Sequence, residues 1–227
     1  MSLPSADYED FGVTLIGSFN PAIFHPSWFE RHEIISPADA AKSAKTLKVV
    51  SPEFSELTVT DIKITVFPDR LQLLTRDASR AERLHDIVLN ILSLLPETPI
   101  TAGGINNSVE FNLNDEDYWH KIGHTLAPKD LIWNDILDDP GMQTLVIKGR
   151  RLKDFPGEIN VTVQPSPPSR FVYGLRVAVN FHYTSEVDRK VESSADDIAS
   201  MIETHWNIAL GESRIVASRI LSRIEKP

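Results

Sequence analysis

The sequence contains no cysteine. That excludes disulfides, thiolate metal sites and cysteine catalysis, and it fits a reducing, cytoplasmic setting. Long apolar runs are also missing, since nothing approaches the roughly 18–20 residues needed to span a bilayer. The opening MSLPSADYEDFG has neither a basic region nor an apolar core, so it does not read as a signal peptide. Nor is there an excess of positive charge. A formal net charge of −9 works against nucleic acid and anionic membranes as partners, because cationic neutralisation supplies most of that affinity. The one basic cluster is Lys148, Arg150, Arg151 and Lys153, and it reads as the solvated end of a hairpin.

What is present is a strong strand signal. In RFVYGLRVAVNFHYT, from Arg170 to Thr184, alternate residues put Phe171, Tyr173, Leu175, Val177, Val179, Phe181 and Tyr183 on one face. Arg176, Ala178, Asn180 and His182 fall on the other. The amphipathic pattern beginning near Ser194 is the nearest cover for the apolar face.

Phe11–Phe19 reads as a first strand, and Asn20-Pro21 as the start of a short helix. Strands are predicted over Leu47–Val59 and Ile62–Thr75, with a turn at Phe67-Pro68-Asp69-Arg70. Ser79 and Glu82 form a capping-box pattern ahead of an amphipathic helix that ends before Pro96. Pro99–Leu113 reads as a strand interrupted at Gly103-Gly104, where glycine marks a bulge or a close backbone approach. Asn114 opens another helix. Strands at Met142–Lys148 and Glu158–Gln164 and two closing helices complete the chain.

This order predicts an α+β fold, an antiparallel or mixed sheet with helices on one face. At 227 residues it is read as a single domain over 1–227, with two strand–helix halves, 11–113 and 114–227.

FNPAIFHPSWF, PITAGGINNSVEF, WHKIGHTLAPK, DPGM and VNFHY, in that order, resemble a widespread bacterial family of uncharacterised proteins. A fainter likeness is to a second, sporadically distributed uncharacterised family. The resemblance covers nearly the whole chain and brings no activity with it. The first family's pattern commonly has an aspartate between the asparagine and histidine of VNFHY. Phe181 stands there instead, so acid–base chemistry at that position is not expected of this chain.

Three groups of residues are candidates for function. Arg176, Asn180 and His182 form a polar row beside Asn160, Thr162 and Gln164, suited to a polar ligand or partner segment. Glu116, His120 and His124 recur at one-turn spacing, which can bring two imidazoles to one metal, although they face away from the apolar stripe of Trp119, Ile122 and Leu126. The aromatic stretch containing Phe19, Ile23, Phe24, Trp28 and Phe29 reads either as a lid on the sheet or as an exposed patch for a second copy or another protein.

Familiar catalytic motifs fail at specific positions. His32-Glu33 begins like a zinc-protease helix, but Ser36 stands where the second histidine is required. Gly103-Gly104-Ile105-Asn106-Asn107 lacks the glycine spacing, lysine and following helix of a phosphate loop. No nucleophile elbow occurs, and no cofactor is expected. The leading expectation is therefore a non-enzymatic binding or assembly protein that self-associates. The alternative is a hydrolase using histidine and carboxylates, with or without a metal: His120, His124 and Glu116, or His182 with Arg176.

Overall fold

The structure is a computed structural model that describes residues 6–150, 157–184 and 194–224. Arg151 and Lys153 of the basic cluster lie outside the described residues.

Among the described residues, nine strands form one antiparallel sheet in the order β2-β3-β4-β5-β1-β6-β9-β8-β7. They are β1 (Tyr8–Gly17), β2 (Val49–Val50), β3 (Ser55–Val59), β4 (Ile62–Phe67), β5 (Arg70–Thr75), β6 (Ile100–Asn112), β7 (Leu145–Gly149), β8 (Glu158–Pro165) and β9 (Gly174–Thr184). Five helices pack against the sheet: α1 (Pro26–Arg31), α2 (Pro37–Lys45), α3 (Ala81–Leu94), α4 (Glu116–Leu126) and α5 (Ser194–Arg223). The α+β expectation holds.

The period of two in β9 sets the two faces as the sequence implies. Leu175, Val177, Val179 and Phe181 are buried, and α5 packs across β6 and β9 above them. Each such side chain contributes about 1.5–3 kcal/mol when fully buried. Phe11, Val13 and Leu15 of β1 and Ile62, Ile64 and Val66 of β4 continue this core, which α3 covers beside α5. The opposite face carries the polar alternates of the same strands.

The strand order is palindromic. Apart from β2, which has no counterpart, reversing the order and exchanging β1 with β6, β5 with β9, β4 with β8 and β3 with β7 leaves it unchanged. Each half runs as a central strand, a helical connection, a meander of strands and a long helix. By this correspondence β6 begins the second half rather than closing the first.

Local differences from the sequence reading have physical reasons. Helix α3 starts at Ala81, because Asp77 takes the capping role one turn earlier: its Oδ1 accepts the Ser79 N–H at 2.9 Å and a 3-10 turn intervenes. Glu82 instead accepts from Trp206 Nε1 at 3.3 Å. Asp115, not Asn114, caps α4. The two closing helices are one helix of 30 residues. Its Gly211 costs about 1 kcal/mol relative to alanine, too little to end a helix whose neighbours on both sides are packed.

Strand β6 is continuous through Gly103-Gly104, and no glycine in the described residues has positive φ. The glycines serve close approach. A Cβ at Gly103 would stand 3.1 Å from Ile198 of α5, and one at Gly104 would stand 2.5 Å from Asn180 Nδ2.

The aromatic stretch is core. Phe24 and Phe29 are fully buried and Phe19 nearly so, while Ile23 and Trp28 pack partly buried against them. Asn20 caps a 3-10 turn over Pro21–Ile23, and His25-Pro26 restarts the chain as α1. These turns fold the rings inward, with Phe24 and Trp28 centred 5.5 Å apart and Trp28 and Phe29 5.1 Å apart. The exposed-patch expectation fails for Phe19, Phe24 and Phe29, since burying them is worth far more than presenting them to water.

Candidate functional site

Antiparallel sheets commonly leave one face to water, and here that face is concave. A hollow of about 440 Å³ spans β4, β5, β1, β6, β9 and β8. Its floor follows from register. Gly12 of β1 lies opposite Asn106 of β6, Asn106 opposite Asn180 of β9, and Asn180 opposite Asn160 of β8. Gly12 and Ala178 keep the floor low between the longer side chains.

Three amides and a hydroxyl form a relay across four strands. Asn160 Nδ2 donates to Asn180 Oδ1 at 3.4 Å, Asn180 Nδ2 to Asn106 Oδ1 at 2.7 Å, and Asn106 Nδ2 to Thr14 Oγ1 at 3.3 Å. Every bond runs the same way. Each asparagine amide has two N–H donors and an oxygen with two lone pairs, so much of the capacity of Asn160 and Asn180 stays unused in the protein. The close approach of Asn180 requires the missing Cβ at Gly104.

The neighbouring end of the face is charged. Asp10 is nearly buried and accepts from Arg76 Nε at 3.2 Å, Arg176 Nη2 at 3.4 Å and Ser108 Oγ at 3.2 Å. Arg176 also donates to Ser108 Oγ at 2.9 Å. Glu110, buried on the same face, pairs with Arg170, whose guanidinium lies 4.5 Å from the centre of the Tyr8 ring. Three arginines against two carboxylates leave one positive charge in excess at this end. Both acids are largely shielded, while Arg76 and Arg176 keep part of their surface in water.

Of the predicted polar row, Arg176 and Asn180 line the hollow, beside Asn160 and Thr162 of β8 as the spacing implies. His182 lies further along β9, outside the lining. It faces Glu158 across β8 and sits 3.2 Å from Thr184 Oγ1.

Glu116, His120 and His124 are exposed on α4, as their position off the apolar stripe implies. His120 Nε2 stands 3.9 Å from Glu116 Oε1. Glu116 also accepts from the Tyr173 hydroxyl at 2.9 Å, which raises the Tyr173 pKa because loss of that proton would break the bond. The two histidines, without Glu116, line a smaller hollow of about 170 Å³ with Trp119, Met142 and Pro140. Among the described residues no three histidine, aspartate or glutamate side chains are gathered closely enough to hold a metal ion. Glu116 is thus outside the hollow that the two histidines line, and His182 outside the one that Arg176 lines.

Asp10, Arg76, Asn106, Ser108 and Thr14 belong to the site without having been singled out in the sequence. Their strands are far apart in the chain, and only pairing brings them together. No protein-family model matches the chain, and no curated protein matches it either. The fold and site thus define an antiparallel α+β protein with an open, polar, concave sheet face. No helix among the described residues is long and apolar enough to cross a membrane.

Proposed function

We propose that the chain is a non-enzymatic binding protein whose concave sheet face receives a polar ligand carrying at most one negative charge. The observation that carries this reading is the Asn160–Asn180–Asn106–Thr14 relay on the floor of the hollow. It fixes the orientation of the amides while leaving donors and an acceptor free for a ligand, which is how a binding site gains directional specificity. The single excess positive charge beside it sets the charge preference. Gly12 and Ala178, both in the lining, carry little or no side chain to hold a ligand off the backbone.

Titration with monosaccharides, free amino acids and nucleosides, followed by ¹H–¹⁵N NMR of the asparagine side-chain amides, tests the proposal. One class should shift the Asn106, Asn160 and Asn180 amide resonances saturably, and Ala178→Trp, which fills the floor, should abolish the shift. If none of these classes moves them in the unaltered protein, the reading fails.

A further inference from the structure

A second group of exposed side chains lies in the connection after α4 and on strand β7. Leu131, Ile132, Trp133, Ile136 and Leu137 are between 46% and 83% exposed, all within the short connection that follows α4. Val146 and Ile147 of β7 are each 56% exposed. Scattered apolar residues on a surface need no explanation, but five exposed in seven consecutive positions of one connection, with two more on the strand that follows, are a concentration of the kind found at interaction sites.

Strand β7 is an edge of the sheet and, among the described residues, pairs only with β8. Its outer backbone groups are a template for another strand. The other edge, β2, has two residues and offers almost none.

We propose that this surface is a two-fold interface between two copies of the chain, with β7 pairing antiparallel to β7 of the second copy and the Leu131–Leu137 connection packing around it. A two-fold axis through an edge strand delivers an antiparallel neighbour, the only kind this sheet uses, from an identical surface. Charge agrees. The chain before β7 carries Asp130, Asp135, Asp138 and Asp139, and the chain just past its end carries Arg150. Antiparallel pairing sets the acidic approach of each copy toward the basic exit of the other. The same aspartates disfavour an anionic membrane as the occupant. The exposed parts of these seven side chains, 46% to 83% of each, together approach the roughly 800 Å² that each partner of a standard interface buries. The Glu158–Lys148 ion pair holds the edge strand in register with β8 from the inner side.

Analytical ultracentrifugation of the full chain at high micromolar concentration should give twice the 25.5 kDa chain mass. Ile147→Lys and Trp133→Glu alter exposed positions, so both should fold with unchanged far-UV circular dichroism. Each should weaken dimerisation about tenfold or more, as central anchors do. The absence of native cysteine allows a second readout. Single cysteines placed at Val146, Ile147 and Lys148 should cross-link under mild oxidation, with the strongest band at the position on the axis. A strict monomer overturns the proposal, as does a dimer that survives both substitutions or that none of the three cysteines cross-links.

Discussion

Asp10 and Arg176 are 166 positions apart in the chain and meet on the open face, where Arg176 Nη2 donates to Asp10 Oδ2 at 3.4 Å. The contact joins the first strand to the ninth across β6, through Ser108, so it ties the two palindromic halves together on the face where the ligand hollow lies. Arg76 reaches the same carboxylate from beyond β5. Asp10, nearly buried between two arginines and Ser108, is a charge fixed in place beside the amide relay.

That arrangement predicts a measurable coupling. Arg176 is about one-third exposed, so the pair is worth less than a fully buried one. In urea unfolding, a double-mutant cycle of Asp10→Asn and Arg176→Met should return a coupling of about 1 kcal/mol. A coupling indistinguishable from zero would mean that Arg76 alone satisfies Asp10.

The burial of the aromatic stretch makes a prediction opposite to that of a docking patch. Phe29→Ala should destabilise the protein by about 3–5 kcal/mol, the usual cost of emptying a buried ring site. Chemical denaturation measures this directly, and a loss below about 1 kcal/mol would contradict the burial.

Alternation along β9 was enough to read the sheet's two faces, and the same alternation placed Arg176 and Asn180 beside Asn160. Local pattern carries that information, because side-chain direction in a strand depends only on its own backbone. Asp10, Ser108 and Asn106 were not legible, since their place in the site depends on which distant strands pair and in what register. Helix boundaries failed for a nearer reason. Asp77 and Ser79 both offer a capping oxygen, and only the geometry of the intervening 3-10 turn selects the first. The aromatic stretch was ambiguous because large rings serve cores and interfaces alike, and burial decides between them.

Acid should loosen the first half's sheet edge. Hydrogen bonds from Lys48 and Lys63 hold the Glu56 pKa below the ordinary carboxylate range, against a smaller opposing effect of burial. A lowered folded-state pKa contributes stability that is complete above the unfolded value and is lost as pH falls through the folded one. Lys48→Met with Lys63→Met should therefore cost most at neutral pH and almost nothing below the folded pKa. Carbon-13 NMR titration should show the Glu56 pKa rising toward its ordinary value in that variant. A difference in stability that persists undiminished at low pH would remove Glu56 as its cause.

Gly104 and Asn180 offer the sharpest test of how the binding floor is built. Gly104 has no positive φ, so its backbone accepts alanine, and the objection to a Cβ there is contact alone. The atom in the way is Asn180 Nδ2 at 2.5 Å, whereas the next neighbours, Asn180 Cγ and the Phe181 carbonyl oxygen, stand at 3.6 Å. Gly104→Ala must therefore displace the Asn180 amide and break its 2.7 Å bond to Asn106. The expected loss is about 1–2 kcal/mol, the scale of a modest overpacking. In an Asn180→Ala background the obstruction is gone. There the same substitution should be neutral or stabilising by about 0.4–1 kcal/mol, because alanine narrows the unfolded ensemble. Thermal and urea unfolding of the four proteins decide the matter. Equal effects of Gly104→Ala in the two backgrounds would mean that the relay does not depend on the glycine.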